Sequence, residues 1–329
     1  MNFSAILADA VRAAIGPAAV VYGLAAIGLN IHFGYTGLLN FGQVGFMMIG
    51  AYGVAVSVAV LGLPLWVGVL AGLVLATLLA LLLGIPTLRL RADYLAIVTI
   101  AAGEILRYVF RSGWAEPLTG GVFGLQRFAN DFYALNPIPS GNYGVGRLSF
   151  SERDLWVMVV GWALVALASL LVYRLTHSPW GRVLRSIRED EDAARSLGKN
   201  VFSYKMQSLV LGGLLGAMGG MLLAINNQAV NPDSYLPLLT FYAYTIMILG
   251  GAGRVLGPVV GSVVFWFIVQ GTDTFLRQAI GTIIPTTVLA QAETGAVRFA
   301  LVGLGLMLLM IFRPQGIFGN REEMLLDAR

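Results

Sequence analysis

The sequence predicts an all-α polytopic integral membrane protein, and three observations carry that prediction. First, 57% of the 329 residues are apolar and only 12% are charged, about half the charged share of soluble domains. Second, the 76 residues from 13 to 88 contain no Asp, Glu, Lys or Arg, whereas one bilayer crossing needs about 20 residues. Third, the apolar stretches are continuous runs, not the ten-residue alternations of a membrane barrel strand. A soluble fold and a disordered chain are excluded together, because disorder requires low hydrophobicity and high charge.

The apolar runs, in order, are 14–31, 44–62, 64–85, 94–111, 155–174, 206–226, 237–250, 256–271 and 298–312. A short amphipathic segment precedes the first. Its acidic Asp9 and lack of a basic start are unlike a cleaved leader. Residues 32–43 are polar and glycine-rich between two runs, which suits a tight turn or a broken helix. The broken form is tolerated in a membrane only where protein or water satisfies the freed backbone groups. The total is therefore eight to ten spans in a single transmembrane domain covering 1–329.

The basic residues sit between runs. Arg182, Arg185, Arg188, Arg195, Lys199 and Lys205 fall in 175–205, Arg89 and Arg91 in a short loop, Arg254 in another, and Arg313 and Arg321 flank the last run. Positive loops face the cytoplasm, so 175–205 and the C-terminus are expected inside, and the loop 112–154 outside. The N-terminus is outside if there are nine spans. A net charge of +4 distributed this way is a topology signal, not a nucleic-acid footprint.

Several chemistries fall by counting. With no cysteine and two distant histidines, His32 and His177, no thiolate nucleophile and no HExxH motif exist. Neither lysine, Lys199 or Lys205, follows the spacing of a phosphate-binding loop. The chain therefore binds no nucleotide in that manner by itself, and no cofactor is expected on it.

The stretch Gly181 to Asn200, GRVLRSIREDEDAARSLGKN, is the most informative. As one helix it offers i,i+4 pairs Arg185–Glu189 and Arg188–Asp192. Leu184, Ile187, Ala194 and Leu197 fall on one side, and Gly198 stands where the helix would stop. The six basic residues of 175–205 are set against four acidic ones, Glu189, Asp190, Glu191 and Asp192. That balance suits a protein groove at least as well as a lipid surface, where such helices are more basic.

Asp192-Ala193-Ala194 followed by Gly198 resembles the EAA loop of bacterial ABC importer permeases, with Asp in the Glu position. The whole run resembles the LivM-type permeases of branched-chain amino-acid importers. Gly34 to Gln43 continuing to Gly50-Ala51-Tyr52 resembles that family's N-terminal signature. Tyr94 to Arg107, then Thr119-Gly120-Gly121 and Gly124-Leu125, resembles its middle block, and Arg313 to Gly319 its ending. The proline that closes the loop motif in many importers is absent.

The resemblance implies a coupling helix made of Gly181, Arg182, Arg185, Arg188, Glu189, Asp190, Glu191, Asp192, Ala193, Ala194, Leu197 and Gly198. It implies a second related permease, two ATPase subunits carrying ATP-Mg, an extracytoplasmic substrate-binding protein, and a bacterial cytoplasmic (inner) membrane. Urea, short amides or other small organic solutes are alternative cargo within the same class. An ion-coupled secondary transporter and an intramembrane enzyme are weaker readings, because Glu104 is nearly the sole acidic group within a predicted span.

Candidate path residues are Tyr35, Asn40, Gln43, Glu104 and Arg107. Asn40 and Gln43 either line a broken helix or bond across closely packed helices. Glu104 and Arg107, at i,i+3, are either a pathway pair or an intrahelical pair near the outer end of a span. His32 reads as a helix-end residue at the interface. The polar turn holding Asn226, Asn227, Gln228, Asn231 and Pro232 is either a docking contact or an ordinary turn. The glycines from Gly212 to Gly220 read as a close-packing face.

Overall fold

The computed structural model describes residues 2–88, 92–280, 294–312 and 315–319. The first helix, α1 (Phe3–Ile15), buries Ala5, Ala10 and Ala14 on one side. Gly16 breaks it, and Pro17 opens α2 (Pro17–Leu29). Pro is favoured in a first helical turn, where its missing N–H costs nothing. A wider π turn, Asn30–Tyr35, ends that helix. Residues 37–42 are not helical, and α3 (Gln43–Ala55) follows with a π end at Val56–Val60. α4 (Leu65–Thr87) and α5 (Ala92–Arg111) complete the first half.

Beyond α5 lie two short helices, α6 (Glu116–Thr119) and α7 (Asn130–Ala134). A hairpin of Asn142–Val145 and Leu148–Ser151 then leads into α8 (Glu152–Thr176), which Ser151 caps by accepting from Asp154 N. Two helices, α9 (Pro179–Glu189) and α10 (Glu191–Ser196), precede α11 (Val201–Asn227). α12 (Leu238–Gly250), α13 (Gly257–Ala279) and α14 (Thr294–Phe312) close the chain.

Each predicted span corresponds to one of α2, α3, α4, α5, α8, α11, α12, α13 and α14. Among the described residues, six helical runs are long and apolar enough to cross a membrane: Pro17–Tyr35, Gln43–Val60, Leu65–Thr87, Glu152–Thr176, Val201–Asn227 and Gly257–Ala279. α5 has the length but carries Glu104, Arg107 and Arg111, and α12 is 13 residues long. The expected boundaries at 271 and 298 are corrected. α13 runs on to Ala279 and α14 starts at Thr294; Asp273 pairs with Arg277 along α13 and with Arg298 of α14, so these charges lie within the helices instead of ending them. Arg89, Arg91, Arg313, Pro314 and Arg321 lie outside the described residues.

α11 is the axis of the bundle. It lies between α2 and α3, and its glycines set the spacing. A Cβ on Gly212 would overlap His32 and the Gly28 carbonyl, one on Gly216 the Gln43 amide, and one on Gly220 the Met47 carbonyl. Small residues of this kind let helix backbones approach closely.

The loops gather at two ends. At one, the strand pair Leu125↔Val230 and Gln126↔Ala229 joins the loop after α6 to the turn after α11. Tyr133 Oη also donates to Ile225 O at 3.0 Å there, and burial pushes its phenol pKa up, against the pull of Arg153. Arg147 pairs with Asp9 of α1 at 3.2 Å. At the opposite end, α9 meets the π turn that closes α2 and Gly253, α10 packs on α9 and α11, and packed against 249–251 lie residues 315–319. These last are pinned by Ile317 N to Leu249 O at 3.0 Å and Phe318 N to Gly250 O at 3.1 Å.

Replacing Gly212 by Ala is expected to lower stability by about 1–3 kcal/mol, the scale of an overpacked core. Gly303→Ala on α14, where a Cβ meets nothing within 4 Å, is expected to leave it within about 1 kcal/mol of the parent. Thermal unfolding in mild detergent checks both, and equal melting temperatures would refute the spacer role of Gly212.

Candidate functional site

The polar break 36–42 is built from residues that satisfy one another. Thr36 Oγ1 donates to Ile31 O at 2.8 Å and lies 2.7 Å from Ser208 Oγ of α11. Leu38 N reaches back to His32 O at 2.8 Å. Phe41 N bonds Thr99 Oγ1 of α5 at 3.0 Å, and Val44 N bonds Thr240 Oγ1 of α12 at 2.9 Å. A break inside a bundle needs such partners, because freed backbone groups find no water there.

Asn40, Gln43 and His32 form the buried centre of this arrangement, each 0% exposed. Asn40 Nδ2 donates to Gln43 Oε1 at 3.2 Å and sits 3.1 Å from His32 Nδ1. Gln43 Nε2 donates to Gly212 O at 3.0 Å, and His32 Nε2 lies 3.1 Å from Leu209 O. Tyr244 Oη donates to Asn40 O at 3.1 Å. Within this chain, Asn40 and Gln43 therefore bond across α2, α11 and α12 and face no solvent. The expectation of an interfacial His32 is corrected, because the Asn40 amide and the Leu209 carbonyl give both ring nitrogens a buried partner. Tyr35 is also buried, with the Arg185 guanidinium 5.9 Å from its ring.

The arginine-rich segment is two helices, not one. Asp190 adopts an extended conformation (φ −151°, ψ 108°), and its carboxylate accepts from Asp192 N and Ala193 N, both at 2.9 Å. An Asp in this position competes with the helix it would otherwise continue and caps a new one. The expected pair Arg188–Asp192 is therefore replaced, and the Arg185 guanidinium lies over the Tyr35 ring, not against Glu189, although both residues stay on α9. Arg188 Nη1 donates to Gly34 O at 2.6 Å, and Arg195 takes Glu191 and Asp192, each at 3.0 Å. Lys205 of α11 pairs with Glu191.

Leu184, Ile187 and Ala194 are buried, as the side assignment expected, but Leu197 is 78% exposed. It sits at the tip, where Gly198 takes φ +76° with nothing within 4 Å of a Cβ. Gly181 is pressed against Thr176, while Arg182, Glu189 and Ala193 face outward.

At the other end, Arg107 is the hub of an ion cluster. Its guanidinium contacts Glu104 Oε2 at 2.7 Å and Asp233 Oδ1 at 2.8 Å, with Arg111 3.4 Å from the same Asp233 oxygen. The expected i,i+3 pair is present, but the partner across the bundle is Asp233 of the turn after α11. The loop 119–125 is held separately by the strand pair. In that turn Gln228 takes a left-handed φ of 52°, and Asn231 Oδ1 accepts from Ser234 N at 2.8 Å.

Sequence reasoning missed a second cluster. Asp273 of α13 bonds Arg277 at 2.8 Å and Arg298 of α14 at 3.0 Å. The signal was an acidic residue followed by Arg four places on, which is helical spacing, but the apolar run ends two residues before it.

Arg107→Met is expected to lower stability by about 1–2 kcal/mol, since it strips two carboxylates of a partner. A double-mutant cycle with Asp233→Asn, read by thermal unfolding, should show a coupling energy of about 1 kcal/mol. Strict additivity would mean that the cluster carries no cooperative energy.

Residues 14–312 match the protein family described as branched-chain amino acid transport system / permease component. The LivM permease protein of the high-affinity branched-chain amino acid transport system in Salmonella typhimurium is 31% identical over 312 residues, covering 91% of this chain and 68% of the relative. The LivH permease protein of the same type of system in Escherichia coli is 28% identical, covering 92% of each chain. The nucleoside ABC transporter permease protein NupC of Lactococcus lactis is 29% identical over 65% of this chain and 67% of the relative. With its long apolar helices and helical bundle, the chain therefore belongs to the branched-chain amino acid permease family, as the multi-pass membrane permease subunit of an ABC importer and not an enzyme.

Proposed function

We propose that this permease forms half of the translocation path for branched-chain or similar small amino acids. A second related permease supplies the other half. Two ATPase subunits carrying ATP-Mg supply the energy, and an extracytoplasmic binding protein delivers the solute. The complex resides in the bacterial cytoplasmic membrane with the C-terminus inside. The kinship with both LivM and LivH supports a paired permease, and the branched-chain amino acid systems to which those relatives belong support the cargo. NupC is named for nucleosides, so nucleosides are the competing cargo in the titration below.

The observation that carries the coupling role is the protruding α9–α10 corner. Its buried side, Leu184, Ile187 and Ala194, fastens it to the bundle, while Leu197 and the open Gly198 project from it. A partner groove is the natural receiver for such a tip. Tyr35, Asn40 and Gln43 then form the polar hinge beneath the path, and Glu104 with Arg107 its rim at the far end.

Purification from native membranes with quantified companions tests this directly. Two ATPase chains and a second permease are expected, and a chain that emerges folded and alone would refute it. Titration of the accompanying binding protein with leucine, isoleucine, valine and nucleosides names the cargo. Gly198→Phe is expected to cut uptake per ATP by about tenfold while the protein stays folded. Gly198→Asn, which tolerates a left-handed backbone, is expected to retain most of it. Unchanged uptake in the Phe variant would remove Gly198 from the coupling surface.

A further inference from the structure

The last turn of α9 sends one hydrogen bond into the broken segment. Arg188 stands in its last turn, one residue past the buried Ile187, and its Nη1 donates to Gly34 O at 2.6 Å. That carbonyl belongs to the π turn closing α2. Two glycines, Gly37 and Gly253, leave room for the side chain. A Cβ on Gly37 would lie 3.2 Å from Arg188 Cγ and 3.6 Å from Arg188 Cα, with φ +74° at that position. A Cβ on Gly253 would lie 3.3 Å from Arg188 Nη1 and 3.2 Å from Gly34 O. Gly34 itself is wedged against Asn30 and Gly253.

The same point is tied to the rest of the bundle. Asn30 brackets the turn 253–254, donating to Arg254 O at 2.9 Å and accepting from Gly253 N at 2.7 Å. Beyond it, Thr36 joins Ser208 of α11, and Asn40 joins Tyr244 of α12. α9 therefore reaches the broken helix, the 251–254 turn and, through them, the buried polar centre.

We propose that Arg188 is the positioning residue that makes α9–α10 and the broken segment 30–42 move as one body. The proposal rests on the coupling role assigned to α9–α10 above. It adds the route: displacement of the tip passes through the Arg188–Gly34 bond to the polar hinge, not through the buried apolar side of α9 alone.

The test uses a pair of replacements of similar length. Arg188→Met keeps the stem over Gly37 and removes the donor, whereas Arg188→Lys keeps a cationic donor. The chain contains no cysteine, so spin labels are placed cleanly at Leu197→Cys, on the tip, and Leu39→Cys, in the break. Distances are measured on the whole purified assembly, without nucleotide and with ATP plus vanadate. The parent is expected to give one narrow distance, unchanged between the two states. Arg188→Met is expected to broaden it about twofold and to lower labelled-leucine uptake per ATP hydrolysed by about tenfold, the scale of a typical coupling energy. Arg188→Lys is expected to keep the narrow distance. A narrow, parent-like distance in Arg188→Met overturns the proposal, as does a parent distance that changes with nucleotide. Absence of ATPase chains from the parent would instead defeat the coupling role, while the label distances still decide the link.

Discussion

The fold depends on one constraint: a helix is interrupted within an apolar bundle, and every polar group it frees must find a partner there. The unmet cost of such a group is several kcal/mol in a hydrocarbon surrounding. That cost explains why the polar residues of 36–43 are not scattered outward. Each recruits a different neighbour. Thr99 comes from α5, Ser208 and Gly212 from α11, and Thr240 and Tyr244 from α12. The break is thus the place where otherwise independent helices become mutually committed.

Close approach is the second requirement, and it follows from the first. Gln43 can reach the Gly212 carbonyl, and His32 the Leu209 carbonyl, only if α11 lies close against α2 and α3. The bare faces at Gly212, Gly216 and Gly220 make that spacing available. Glycine within a helix costs about 1 kcal/mol relative to Ala. Here that cost is offset by hydrogen bonds that a bulkier residue would forbid. The polar centre and the glycine ridge are one design.

Much of this was legible from residue patterns, and the limits have physical causes. Hydropathy located the helices within a few residues because burial in lipid selects on composition alone. The glycine face of α11 was readable because small residues at helical spacing have one dominant use. The corner at Asp190 was not, because a charged residue fits an i,i+4 pair and an N-cap equally well by spacing. The choice is made by the geometry of 191–194. Arg188 offered two carboxylates nearby in sequence, yet its partner is a backbone carbonyl 154 residues away. His32 was misplaced for a related reason: its two buried partners come from Leu209 and Asn40, neither of which a local pattern reveals. Asp273 escaped notice because a charge reads as a span boundary until a partner such as Arg298 appears on a neighbouring helix.

In the proposed complex the permease receives work at its edge and delivers it to its middle. Packing alone is a poor conductor when the entering element is short. α9 has 11 residues and buries three of them. One hydrogen bond contributes about 1 kcal/mol net, enough to bias a two-state equilibrium roughly fivefold. A transport cycle needs a larger swing, since moving a population from one state to the other takes about 5 kcal/mol. No single contact at this corner suffices, and the structure does not ask it to. Arg188 engages Gly34 at the spot where Asn30 brackets 253–254 and where α2 gives way to the break. A shift there acts on several hydrogen bonds held in common, so their energies combine in one step. That is the physical advantage of placing the break beside the corner. The segment least able to remain helical becomes the one most able to pass a displacement on.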